Sequence, residues 1–248
     1  MLDDMVDYLQ GLRRHPVWRP IPAAARDRFC HPVPADGLPL AAVHERFMQD
    51  VVPYALGNTH PGFMGWVHGG GTAVGMLAEL LAGGLNANLG GRDHMPMYVE
   101  RQIEQWVREL FGLPPTARGL FVTGTSMGNF IGVLAARAAA LGGEVRRQGL
   151  TAAHTGLRAY AAAGAHGSIA RALDMAGLGS DTLRRIPLDG QRRMDTAALE
   201  RAIAADRAAG LRPFLVVGTA GGVDTGAIDD LEAAARAART AGAWFHVD

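Results

Sequence analysis

Ahead of Gly119, apolar side chains recur at helical spacing. Leu2, Met5, Val6 and Leu9 fall on one helical face. Val99, Ile103, Trp106, Val107 and Leu110 form one stripe along a helix predicted over 98–111. Further helices are predicted over 40–52 and 72–85, the first preceded by a stretch broken by Pro16, Pro20, Pro22, Pro32, Pro34 and Pro39. Residues 58–66 interleave turn formers with aromatics, and 86–96 read as a polar, Gly-rich linker. From Gly119 onward the rhythm changes. Short apolar runs at 120–123, 158–163, 183–188, 213–219 and 244–247 predict strands. Between them lie helices: 130–141, closed by Gly142-Gly143; 168–176, with Ser168 as cap; and 195–209, capped by Asp195 and stopped by Gly210. A last helix opens on Asp229-Asp230 and ends near Gly242.

Strand and helix in alternation predict an α/β fold: a mostly parallel, doubly wound sheet with helices on both faces. Residues 1–57 read as an N-terminal helical arm, whose short amphipathic helices cannot bury their own stripes. Residues 58–248 carry the sheet. The arm packs either on a partner subunit or on its own domain, and the pattern leaves both open. In open sheets of this kind ligands gather beyond the carboxyl ends of the strands. Four features fall there: Thr125 with Ser126, His166, residues 219–223, and Asp248. A lone histidine after a strand is ordinarily structural, and an aspartate at a strand end is ordinarily a cap. Their shared edge is what singles them out.

Composition narrows the function classes. The chain has 248 residues, 48% of them apolar, enough for a sizeable core. Its formal net charge is zero, which removes a global electrostatic case for nucleic acid or a membrane surface as partner. No apolar run reaches the length of a bilayer span, and the acidic start lacks the layout of a signal peptide. The single cysteine, Cys30, excludes an internal disulfide and fits a reducing compartment. A cytoplasmic protein is expected. All 24 basic residues are arginine, so no side chain of this sequence can form a Schiff base.

The loop before the 130–141 helix holds two hydroxyls, Thr125 and Ser126, ahead of the helix's first free N–H groups. Those groups and the helix dipole favour an anion of phosphate size. A Walker loop needs Gly-Lys-Ser/Thr and is excluded. Gly-Thr-Ser-Met also opens the serine motif of subtilisin-like proteases, and His68-Gly69-Gly70-Gly71 passes for a histidine or oxyanion motif. That serine motif, however, is followed by proline where Phe130 stands, and no matching Asp-Ser/Thr-Gly segment lies upstream. A pyridoxal phosphate cup is the third reading, and the rest of the chain favours it.

Seven motifs occur in one order: His60-Pro61-Gly62-Phe63, Asn86-Ala87-Asn88, Tyr98-Val99-Glu100-Arg101-Gln102, Gly124-Thr125-Ser126-Met127-Gly128-Asn129, Ala165-His166-Gly167-Ser168, Gly226-Ala227-Ile228-Asp229-Asp230 and Phe245-His246-Val247-Asp248. With them the chain resembles, over essentially its whole length, the group II pyridoxal-phosphate-dependent amino-acid decarboxylases. That family includes the aromatic-L-amino-acid, histidine and glutamate decarboxylases and has the fold-type-I, aspartate aminotransferase-like architecture. The resemblance implies pyridoxal 5'-phosphate as cofactor, its phosphate held by Thr125 and Ser126, its ring stacked under His166 and its ring nitrogen kept protonated by Asp248. Thr219 is a further cofactor-side candidate. His60, Pro61, Phe63 and Trp66 would belong to the substrate pocket. An amino-acid substrate, a carboxy-lyase reaction and a homodimer with its site at the interface are also implied, with no metal, nucleic acid or membrane.

Two departures from the family pattern stand out. Gly221 is followed by Gly222 and Val223 where the family usually has Gly-Thr-Thr or Gly-Thr-Val, so a hydroxyl is missing at 222, and the family motif continues beyond its His-Val-Asp to a later histidine-lysine pair. The expectation is therefore an inactive fragment of a longer enzyme, with 58–248 the N-terminal part of the large cofactor-binding domain and the remainder and a small C-terminal domain absent. The alternatives are a non-catalytic cofactor-binding or dimerisation fragment and another fold-type-I lyase.

Overall fold

The computed structural model describes residues 1–55, 57–88, 90, 93–151 and 155–248. The chain divides into two units, Met1–Pro96 and Met97–Asp248. In the first, α1 (Leu2–Gly11) half-buries Met5, Val6 and Leu9, as their spacing predicts. A helix not predicted, α2 (Ala23–Asp27), follows Pro22 and buries Ala25. The helix expected over 40–52 is present but changes pitch. It runs as α3 (Leu40–Arg46), then one π turn (Phe47–Val51) and one 3-10 turn (Val52–Tyr54), where Pro53 offers no N–H to continue a helix. His44 Nε2 lies 2.7 Å from Asp4 Oδ2 and ties α3 to α1. Next, α4 (Ala73–Leu85) starts at Thr72, whose hydroxyl accepts from the Gly75 N–H at 2.9 Å, and stops at Asn86 in the left-handed region. Of the predicted 86–96 linker, Leu89, Gly91 and Arg92 lie outside the described residues. Its last residues already belong to α5 (Met95–Leu110), the amphipathic helix predicted from Tyr98.

The second unit sets α6 (Thr125–Leu141) and α7 (Val145–Gln148) ahead of β1 (Leu157–Ala162). Alternation then follows: α8 (Ser168–Met175), β2 (Leu183–Ile186), α9 (Thr196–Ala208), β3 (Arg212–Gly218), α10 (Leu231–Thr240) and β4 (Trp244–Val247). The sheet order is β2-β1-β3-β4 and every pairing is parallel. Strand order reverses between β1 and β3, the kind of switch point beside which ligands bind. Alternate residues of β1 feed two cores. Leu157, Ala159 and Ala161 pack with Val133 of α6 and with Ile169 and Leu173 of α8. On the other face Tyr160 and Ala162 pack with Leu199 and Ile203 of α9 and Ala234 and Ala238 of α10. The doubly wound α/β fold read from the pattern is the fold observed. Leu173 and Leu199 are fully buried, and truncating either to alanine is worth about 2–5 kcal/mol.

One predicted strand does not form. Residues 120–123 have no ladder partner among the described residues, and Leu120 and Phe121 are exposed. Side chains of α5 satisfy part of what a ladder would. The Gly119 N–H donates to Glu104 Oε1 at 3.0 Å and the Phe121 N–H to Glu100 Oε1 at 3.5 Å. An apolar β-branched run specifies extended backbone, but a strand also needs a neighbour with free carbonyls and amides. The predicted 183–188 strand is likewise shorter, ending at Ile186. Leu188 instead forms an isolated antiparallel bridge with Met194.

Candidate active site

At the carboxyl end of the sheet, Gly124 turns the chain into α6 with φ 86°, a conformation glycine adopts without strain. Thr125 and Ser126 are the first two residues of the helix, not the loop ahead of it as their small neighbours suggested. Both are exposed. The first-turn N–H groups of a helix have no intrahelical acceptor and carry the positive end of its dipole. One turn further on, Asn129 is 2% exposed, a polar side chain set on the core-facing stripe of α6 with Val133 and Ala136.

Asn129 joins two of the sequence-predicted residues. Its Nδ2 donates to Asp248 Oδ1 at 2.9 Å and to Ser168 Oγ at 2.9 Å, while Oδ1 lies 2.7 Å from His246 Nε2. Ser168 Oγ is in turn 2.8 Å from His166 Nδ1. Ser168 is not a cap, since Gly167 holds that position. The serine is the first residue of α8, and its buried hydroxyl serves the network instead. Asp248 is fixed through its backbone as well: its N–H donates to Gly218 O at 2.9 Å and its carbonyl accepts from Ala220 N–H at 2.8 Å. Burial holds His246 below its ordinary range, with the Asp248 charge pulling the other way. His246 is thus favoured in its neutral form.

Thr219 follows β3 directly, between the two backbone bonds that hold Asp248. Its hydroxyl is buried without a hydrogen-bond partner among the described residues, and its N–H donates to Asp229 Oδ2 at 2.8 Å. Asp229 also accepts from the Met194 N–H at 2.6 Å. Sequence reasoning placed both acidic residues at a helix start. Asp230 does cap α10, accepting from the Ala233 N–H at 2.9 Å, but Asp229 is a buried clamp on two loops. A cavity of about 170 Å³ beside Thr219 is lined by Ala162, Leu188, Arg192, Gly222 and Thr225 among others.

His60, Pro61, Phe63 and Trp66 belong to the first unit and make their contacts there. His60 Nδ1 accepts from the Gly62 N–H at 2.9 Å, and its Nε2 is buried without a partner among the described residues. Pro61 and Trp66 are exposed, while Phe63 is half-buried. Phe63 and Trp66 each lie 5.6 Å from the His68 ring, Trp66 in a stacked arrangement. Trp66 holds φ 51°, uncommon for a residue with a side chain. Three members of the sheet-edge network had no role assigned from sequence: Asn129, Ser168 as a hydroxyl, and His246. The one available signal was Asn129 at the i, i+4, i+7 spacing shared with Val133 and Ala136, a polar residue on an apolar stripe.

Among the described residues no helix is long and apolar enough to cross a membrane, and no group of three or more His, Cys, Asp or Glu residues could hold a metal ion. The family model for the pyridoxal-dependent decarboxylase conserved domain matches residues 22–248. The chain is 28% identical over 255 residues to the aromatic-L-amino-acid decarboxylase of Bacillus atrophaeus, covering 100% of this chain and 50% of that protein. It is 30% identical over 221 residues to the L-2,4-diaminobutyrate decarboxylase of Rhizobium meliloti, covering 88% and 42%. Among solved structures, Oryza sativa TDC with PLP and tryptamine superposes with a TM-score of 0.87 at 26% identity, over 100% of this chain and 52% of that one. The chain thus spans about half the length of the curated relatives it matches.

Proposed function

From the premise that this chain belongs to the pyridoxal-dependent decarboxylase family, we propose that it forms the phosphate- and ring-binding half of an enzyme that removes the α-carboxylate of an L-amino acid. The family's cofactor is pyridoxal 5'-phosphate. The residues present fit that group. Two hydroxyls and unclaimed N–H groups at the start of α6 suit its phosphate, and an anchored carboxylate at Asp248 suits a cationic ring nitrogen. The buried, unpartnered Thr219 hydroxyl offers a further polar contact. When bound, pyridoxal phosphate supplies an electron-poor ring able to take up the electron pair left as the Cα–carboxylate bond breaks.

In this reading Thr125 and Ser126 bind the phosphate and His166 holds the ring plane. Asp248 keeps the ring nitrogen protonated. His60, Pro61, Phe63 and Trp66 contribute to the substrate pocket. Phe63 and Trp66 favour an aromatic substrate, in keeping with the tryptamine named in the rice structure. The carrying observation is the Asn129 bridge, which joins Asp248 to Ser168 and His166 on the helix that begins at Thr125.

No lysine is present among the 248 residues, so the decarboxylase reaction needs an amine from outside them, and the chain alone is expected to be inactive. A homodimer is part of the proposal. None of α4 is buried, and Leu80, Leu81 and Leu85 present an apolar face suited to a second copy. A cytoplasmic setting rests on the use of a single, unpaired cysteine.

Equilibrium dialysis against pyridoxal phosphate tests the reading. Replacing Thr125 by Val together with Ser126 by Ala removes two hydrogen bonds to an anion, each worth about 1.5–3 kcal/mol, and should weaken binding at least tenfold. Equal binding by the double variant and the unaltered chain would exclude the α6 start as the phosphate site. Carbon dioxide release from an amino acid by the 248-residue chain alone would contradict the need for an outside amine.

A further inference from the structure

We propose that Asn129 is the positioning residue of this edge: one amide holds Asp248 through a single carboxylate oxygen and, by directing the Ser168 hydroxyl, reinforces the Nε2-protonated form of His166. This rests on the reading of the edge as a cofactor cradle, but its geometric part stands without a cofactor.

The direction of every bond follows from what each atom can do. Ionised Asp248 only accepts, so the atom 2.9 Å from its Oδ1 is the Asn129 NH₂. The other amide atom is then the carbonyl oxygen, and His246 must donate to it from Nε2 at 2.7 Å. The second Asn129 N–H points to Ser168 Oγ at 2.9 Å, so that oxygen is an acceptor there and its own proton is free to go elsewhere. His166 Nδ1, 2.8 Å away, already accepts the Ser168 backbone N–H at 3.3 Å. It therefore carries no proton and takes the hydroxyl hydrogen. Neutral His166 is the Nε2–H tautomer, a state held by the Ser168 backbone N–H and reinforced by the hydroxyl that Asn129 directs toward it. Asp248, meanwhile, meets a neutral amide in place of a buried cation, so its charge is not cancelled and Oδ2 can serve another donor. A carboxylate with one oxygen anchored and a histidine donating from Nε2 are the polarities wanted toward a protonated ring nitrogen and an anionic group.

The test is isosteric. At position 129 a carboxyl group has at most one proton to give, which goes to Asp248, so Asn129→Asp obliges Ser168 to donate to residue 129. His166 Nδ1 then loses the hydroxyl hydrogen and keeps only the longer backbone bond at 3.3 Å, so the Nε2–H form loses its stronger support and the Nδ1–H form, donating to Ser168 Oγ, gains population. Long-range ¹H–¹⁵N spectra of the histidine-labelled 248-residue protein read this directly. Expected are Nε2–H on both His166 and His246 in the unaltered chain, and a His166 population shifted toward Nδ1–H in Asn129→Asp. An unchanged His166 tautomer in the variant would overturn the proposal. Should the variant not fold, the unaltered protein still decides: Nδ1–H on His166, or freely exchanging Asn129 amide protons, refutes the bond directions. Dialysis with pyridoxal phosphate separates the two levels. A shifted tautomer population with at least tenfold weaker binding supports the positioning role, and a shifted population with unchanged affinity rejects it. No binding by the unaltered chain removes the cofactor reading while the tautomer result stands.

Discussion

The imidazole of His246 occupies the space that a side chain at Gly132 would fill. A β-carbon built there comes within 2.7 Å of two ring atoms. Alanine in the interior of α6 would gain about 1 kcal/mol of helix propensity, against about 1–3 kcal/mol for overpacking a half-buried ring. Gly132→Ala should therefore lower stability by up to about 2 kcal/mol in urea unfolding and break the His246–Asn129 bond. A variant more stable than the unaltered chain, with the His246 resonance in place, would show the helix yields more easily than the ring.

His246 gives the protein a pH signature. Its folded value lies below the ordinary 6.5, chiefly through burial, so between the two values the unfolded chain binds a proton that the folded chain does not. The stability at stake is fully present above 6.5 and is lost as pH falls toward the folded value. His246→Gln keeps an N–H donor at a similar position but cannot titrate. The difference in urea midpoint between the two proteins should depend on pH in that window and flatten above it.

Helix α9 is stapled to the sheet by charge. The Tyr160 hydroxyl donates to Asp206 Oδ2 at 2.9 Å, and Arg184 donates to both carboxylate oxygens, at 2.8 and 3.1 Å. The guanidinium foremost, then the phenol, hold Asp206 below the usual carboxylate range, while burial and Asp206 push Tyr160 up. Asp206→Ala strands a fully buried phenol and should cost about 2–3 kcal/mol near neutral pH, with the half-exposed Arg184 adding little. Because the shift is downward, this contribution is present above the unfolded value of 3.8 and fades as pH falls through the folded one. The gap between variant and unaltered chain should narrow in acid-unfolding curves below that pH.

Asp229 holds two loops at once. Its carboxylate takes the N–H groups of Met194 and Thr219, both otherwise stranded in a buried place. Asp229→Ala should cost about 2–4 kcal/mol, and hydrogen exchange at both amides should rise together. Protection retained at Thr219 alone would show that another acceptor moves in.

What the sequence revealed and what it hid differ in range. The caps at Asp195 and Asp230, the glycine stop at Gly142 and the alternation of β1 to β4 were legible, because each is decided within a few residues. Residues 120–123 misled because extended backbone is a local preference and ladder pairing is not. Ser168 looked like a cap since hydroxyls before helices ordinarily cap, yet the donor that its oxygen accepts from, Asn129, lies 39 positions away. Asn129 and Asp248, 119 positions apart, meet only after the sheet has closed. His166 and Asp248 could be assigned to one edge from strand order alone, but not the amide that connects them.

Among the described residues, strand β4 pairs on one flank only, with β3, and Trp244 and Val247 are exposed along it. A bare rim of this kind recruits any extended peptide that drifts past, its own sister molecules first. Yield and shelf life of the purified chain should accordingly follow the stickiness of this border more than the melting temperature. Arginine in place of Trp244 ought to keep preparations clear at concentrations where the original turns cloudy.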